Sequence, residues 1–110
     1  MQLQELQQRA ITIRTQYAAV ERQRYGRSWS KEEIMLGFVG DVGDLAKLVM
    51  AQAGVRTIPD AEAKLAHELA DCLWAVLVLA DHYQVDLEQA FLHTMIEIEE
   101  SLNLQGGAAA

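Results

Sequence analysis

The run CLWAVLVLA, Cys72 to Ala80, is apolar at all nine positions. It lies inside a segment of helical periodicity that opens after Asp60 and continues to about Tyr83. In a helix such a run is apolar around the whole circumference, so it needs neighbours on every side. Crossing a bilayer takes about 20 residues, so the run is too short to span one. The remaining segments of a 110-residue chain cannot easily surround it. This predicts an all-α fold: an antiparallel helical bundle of about four helices, completed by oligomerisation as a homodimer or homotetramer.

Three further helices are expected. The first runs from Gln2 to Tyr25, with Leu3, Leu6, Ala10, Ile13, Tyr17 and Val20 at helical spacing and Gly26 as its C-terminal cap. The second opens at Ser30, where SKEE reads as a capping box closed by Glu33, and ends near Gly54. Trp29 and Ile34 flank that cap as a hydrophobic staple. Asp60 suits the N-cap of the third helix, and Asp86, with Gln89 three residues on, opens a fourth through about Leu102. Residues 1–102 thus read as one helical domain, and 103–110, NLQGGAAA, as a disordered tail. The single Pro fits this reading, because helix interiors exclude proline.

The formal net charge of −7 removes the basic footprint that a nucleic acid polymer requires, and it repels anionic lipid. The lone Cys72 allows no internal disulfide and suits a reducing compartment. MQLQELQQRA has no apolar signal-peptide core, so a cytoplasmic protein is expected.

The carboxylates in GFVGDVGDLAKL break the apolar pattern. With about 100° per residue, Asp41 falls about 20° from Ile34, on the face shared with Phe38, Val42, Leu45 and Val49. Asp44 borders that face. On the next helix Glu68 and Asp71, three apart, begin the stripe continued by Ala75, Val78 and Leu79. Acidic pairs at this spacing are ordinary on helix surfaces. Two of them on adjacent antiparallel helices, each bordering an apolar face, are less so. Unpaired carboxylates facing one another raise each other's pKa, and a hard divalent cation, Mg²⁺ or Mn²⁺, relieves that strain.

GDVGDLAKL followed by HELADCLWAVLVLADHYQVDLEQAF resembles the MazG-like members of the all-α nucleoside triphosphate pyrophosphohydrolases. Their ExxE…ExxD signature corresponds here to Asp41-Val42-Gly43-Asp44 and Glu68-Leu69-Ala70-Asp71. The resemblance spans Trp29 to about Leu102. It implies a helical bundle in which Asp41, Asp44, Glu68 and Asp71 bind Mg²⁺. It also implies hydrolysis of a nucleoside triphosphate to the monophosphate and pyrophosphate, in housecleaning or pool control. The alternative is a non-catalytic helical module that binds a metal, a nucleotide or a protein partner. The chain departs from the pattern at three places. The first pair is Asp/Asp, one methylene shorter than Glu/Glu, so the helices must approach closely or a water must fill the gap; Gly40 and Gly43 would permit that approach. Gly40 stands where many relatives carry a further Glu. MIEIEESL is acidic where relatives are often basic.

Two residues are candidates for substrate contact. Lys64 either meets a phosphate or pairs with Glu68 one turn on, and Trp29 either stacks on a base or serves only as the staple. Lys47 points off the acidic face. Trp74 lies opposite Leu65 and reads as core or subunit interface, and Cys72 as packing. HELAD lacks the second His of a zinc-binding HExxH, and no ExxH pair of a di-iron bundle occurs. His82 and His93 have no ligand partners at helical spacing.

Overall fold

The computed structural model describes residues 2–109. Four helices follow in order: α1 (Leu3–Tyr25), α2 (Lys31–Gln52), α3 (Ala61–His82) and α4 (Leu87–Ala109). No strand occurs among the described residues.

The helix starts follow local chemistry. The Ser30 hydroxyl accepts from the Glu33 N–H at 3.2 Å, and the Glu33 carboxylate accepts from the Ser30 N–H at 3.1 Å, closing the box. At the end of α1, Gly26 adopts φ +79° and its N–H donates to the Arg22 carbonyl at 2.9 Å. A side chain would be strained there. Asp86 Oδ1 accepts from the Gln89 N–H at 3.1 Å. Asp60 departs from expectation. It sits at the N-cap of α3 in a left-handed conformation (φ 54°), and its side chain makes no capping hydrogen bond. The fourth helix also runs on past Leu102 to Ala109. Its closing alanines are strong helix formers, which offsets part of the cost of two glycines. Ala110, the last residue of the expected tail, lies outside the described residues.

The central rod is α3, with α2 and α1 both packed against it. Ala10, Ile34, Leu77 and Val78 form the buried cluster where the three meet. Side chains tie α1 to α3 backbone: Trp74 Nε1 donates to the Ala10 carbonyl at 3.3 Å, and Gln7 to the Leu77 carbonyl at 3.3 Å. Arg14 and Glu21, two turns apart on α1, form a buried bidentate pair at 2.9 Å. The same pair holds the α1–α2 loop from both sides. Glu21 accepts the Trp29 N–H at 2.8 Å, and Arg14 donates to the Trp29 carbonyl at 3.0 Å.

By contrast, α4 makes few contacts with the rest, and Leu87 in its first turn packs on the core. Phe91, Leu92, Ile96 and Ile98 are exposed, as is Leu36 on the outer face of α2. Within the Cys72–Ala80 run, Ala75, Leu77, Val78 and Ala80 are buried, whereas Leu73 remains exposed. A compact chain of this length has a radius of gyration of about 13 Å. Here it is 18.0 Å, because α4 projects from the other three helices.

Candidate metal centre

Antiparallel packing of α2 on α3 sets Asp41 and Asp44 opposite Glu68. One carboxylate oxygen from each lies within 4.8 Å of the other two. The shorter Asp/Asp pair therefore converges with Glu68. Gly40 and Gly43 are not the reason, because a Cβ on either would meet nothing within 4 Å. Close helix approach does not require them. Three residues on α2 advance about 300°, about 60° short of a full turn, so Asp44 falls at the exposed rim while Asp41 and Glu68 are half-buried.

The electrostatics are those of an uncompensated site. Burial pushes the Asp41 carboxyl above its usual range, and the charges of Asp71 and Asp44 push it further. Glu68 is raised by burial first, then by Asp41, Asp71 and Asp44. Its Oε2 is fully buried and has no hydrogen-bond partner. An orphaned carboxylate oxygen normally costs several kcal/mol, about the penalty for an unpaired buried polar group. A hard cation supplies the missing partner, and three convergent carboxylates are the donor set that Mg²⁺ or Mn²⁺ prefers. The residues present fit such an ion.

Asp71 does not join this trio. Its Oδ2 lies 3.1 Å from Nε2 of His67, one turn earlier on α3. The Lys64–Glu68 pair expected at the same spacing does not form: Lys64 is exposed, and the Glu68 oxygen turned into the helix interface is beyond its reach. Nor does Lys64 line the neighbouring cavity. Cys72, beside the acids, has its thiol pushed up by burial and then by Asp41, Glu68 and Asp71, which keeps it protonated and unreactive. His93, read as lacking partners, pairs with Glu97 at 2.6 Å one turn on, far from the site in sequence.

A cavity of about 620 Å³ opens beside the acids, and Asp41 and Asp71 form part of its wall. Its aromatic lining comes from Tyr17, Trp29, Phe38 and Trp74. Tyr17 meets Trp74 edge-on at 6.2 Å, and the Trp29 ring lies against Gly37. Trp29 was singled out in the sequence; Tyr17, Trp74 and the Arg14–Glu21 pair were not assigned to a site. The available signal was Arg14 and Glu21, two turns apart on the face of α1 that also carries Ala10 and Tyr17.

The hairpin of antiparallel helices α2 and α3 thus carries facing DxxD and ExxD motifs, three of whose carboxylates could hold a metal ion. The profile of the MazG nucleotide pyrophosphohydrolase domain matches residues 30–100, and the chain belongs to that family. The match covers α2, α3 and most of α4 but leaves out α1. Neither a curated protein nor a solved structure gives a significant match to this chain. No helix of the described residues is long and apolar enough to cross a membrane.

Proposed function

We propose that the chain is a Mg²⁺-dependent nucleotide pyrophosphohydrolase that converts (d)NTP to (d)NMP and pyrophosphate in the cytoplasm, with Mn²⁺ able to substitute. The observation that carries this reading is the shared wall: an aromatic cavity of about 620 Å³ continues into a carboxylate trio through Asp41. Such a shape suits a ligand with a flat ring at one end and a polyphosphate at the other. Aromatic rings stack on any base, with about 1–3 kcal/mol per contact. The acids would repel a polyphosphate unless a cation lay between them.

Asp41, Asp44 and Glu68 would hold the ion. When bound, the ion offsets the negative charge of the phosphates and of the leaving pyrophosphate and makes water a stronger acid. The chain's own part is to place the ligand. Trp29, Tyr17, Phe38 and Trp74 confine the base. The Arg14–Glu21 pair fixes the loop that carries Trp29, so the wall is rigid before ligand arrives. Water then attacks the α-phosphorus, the bond to the bridging oxygen breaks, and pyrophosphate leaves. On this reading α1 belongs to the same functional unit as the matched segment. A second copy of the chain would cover α4 and the outer face of α2, giving a homodimer or homotetramer.

A panel of canonical and modified (d)NTPs with Mg²⁺, assayed for pyrophosphate, tests the activity. Release by the wild type with loss of at least about 100-fold in Asp41→Asn is expected, since even residues behind metal ligands are worth 10–100-fold. Nucleotide binding in calorimetry without any release would instead favour the non-catalytic module. Sedimentation tests the assembly: a species of 12.3 kDa alone would rule out the shared interface.

A further inference from the structure

Two arginines line the aromatic cavity, and the fold engages them differently. Arg14 and Glu21, each 9% exposed, hold the Trp29 backbone just ahead of α2. Asp41 lies ten residues into that helix, so the acids stand about 15 Å along its axis from this end. Arg24, three residues after Glu21, shares the end away from the acids. Every acceptor oxygen of Glu21 is engaged there: Oε2 by Arg14, and Oε1 by Arg14 and the Trp29 N–H. The donors are not exhausted. A guanidinium carries five N–H donors and no acceptor. Arg14 gives one to each Glu21 oxygen and one to the Trp29 carbonyl, which leaves its Nε–H and one Nη1 N–H. Arg24 is exposed and has no ion-pair partner among the described residues. The Trp29 indole can only donate, and the Trp74 N–H already bonds the Ala10 carbonyl. The Tyr17 and Tyr25 hydroxyls donate or accept and do not discriminate. This end of the cavity therefore offers donors in excess and no free carboxylate.

We propose that this end of the cavity selects the base by donating to it through Arg24 and Arg14. The chain then takes nucleotides of 6-oxopurines and 4-oxopyrimidines in preference to those whose base carries an amino group at that position. This rests on the nucleotide reading above and deepens it. Stacking on the aromatic wall is blind to base identity, because every base has a π-face. The edge of the base is not. Guanine and hypoxanthine present O6 and N7, both acceptors, and uracil and thymine present O4, whereas adenine and cytosine turn an amino group to the same place. Set against the guanidinium groups, an amino group puts donor against donor and leaves N–H groups stripped of water and unpaired. A carbonyl oxygen accepts from them, and a planar guanidinium matches the O6/N7 edge bidentately. Arg24 is the stronger discriminator, because its whole fork is available. Arg14 adds donors that Glu21 holds in a fixed position. Both arginines lie on α1, outside the family-matched residues 30–100, so the selection belongs to this chain's first helix and not to the shared hairpin.

Both tryptophans of the chain, Trp29 and Trp74, line the cavity, so intrinsic fluorescence reports its occupancy. The test titrates the full-length chain with ITP against ATP and with UTP against CTP in Mg²⁺, and with the matching nucleosides without metal. Wild type is expected to bind the oxo member of each pair about tenfold more tightly, within the range that one well-made contact discriminates between bases. The nucleosides should rank in the same order. Arg24→Ala should reduce the preference to about twofold while leaving the affinity for inorganic tripolyphosphate within about twofold. Replacing both members of the buried pair, Arg14→Met with Glu21→Leu, removes the Arg14 donors without stranding a charge. It should abolish the preference that remains in a chain that still melts cooperatively. The proposal is overturned if wild type binds the two members of each pair alike or favours the amino member, or if Arg24→Ala keeps the full preference. It is also overturned if Arg24→Ala weakens tripolyphosphate as much as ITP, since Arg24 would then serve the phosphates. A preference without pyrophosphate release supports this inference and counts against hydrolysis alone. Release at equal rates from all four triphosphates, with equal binding, overturns this inference and leaves hydrolysis standing. If no nucleotide or nucleoside binds, the nucleotide reading falls and takes this one with it.

Discussion

Glu21 and Glu68 are both acids drawn into the helix packing, and the molecule handles them in opposite ways. Glu21 has both oxygens engaged by Arg14 and one also by the Trp29 N–H. The guanidinium holds its carboxyl below the usual range. Glu68 keeps one buried oxygen with no partner, and its carboxyl is raised. A carboxylate that the fold satisfies serves the fold. One that the fold leaves wanting is available to something else. The contrast separates the part of the chain that locks α1 in place from the part to which the proposed function gives a cation.

Breaking the locked side should have the larger effect. Glu21→Ala strands Arg14 in a buried position and unpins Trp29. A loss of about 3 kcal/mol is expected, read as a lowered urea midpoint. Glu68→Gln should do the reverse in the absence of divalent ions. Removing one charge from the crowded trio raises the melting temperature by a few degrees at neutral pH, and added Mg²⁺ no longer raises it further. Unchanged melting in both variants would erase the distinction.

The same contrast has a pH signature. Asp41 and Glu68 titrate higher in the folded chain than in the unfolded one, so the folded state holds more protons just above the usual carboxylate range. Their contribution favours the ion-free protein on mild acidification and is lost as pH rises through their raised values. Glu21 and Glu33 run the other way. Glu33 is held at about 2 by Arg27 and the Ser30 N–H, so its contribution is present above the usual carboxylate range and disappears as pH falls toward 2. Ion-free protein should therefore melt highest at mildly acidic pH. Saturating Mg²⁺ should move that maximum toward neutrality, because the ligands must be deprotonated. A maximum that Mg²⁺ does not move would contradict the assignment. The smallest effect belongs to Arg27→Ala. The Arg27–Glu33 bridge lies at the surface, so its loss should barely shift the urea midpoint.

The features legible in the sequence are those fixed by spacing within one helix: the Ser30–Glu33 box, the Gly26 cap, and the placing of Asp41 inward with Asp44 at its edge. The two acidic pairs and the family followed from the same kind of pattern. What spacing cannot decide is which of two equally spaced partners burial will allow. Lys64 precedes Glu68 by four residues, as His67 precedes Asp71. Only the second pair forms, because Glu68 turns into the interface with α2 while Asp71 stays at the rim. The cavity was hidden for a related reason. Tyr17 and Trp74 come together only once α1 packs on α3, and no local pattern encodes that packing. The all-apolar run predicts more cover for α3 than one chain gives; the chain alone buries Ala75, Leu77, Val78 and Ala80 and leaves Leu73 exposed.

The most direct test of the trio is a crystal of the protein grown with Mn²⁺ and measured for anomalous scattering. The account predicts one strong peak within coordination distance of Asp41, Asp44 and Glu68 together. A peak elsewhere, or none while the three side chains point into solvent, would contradict it.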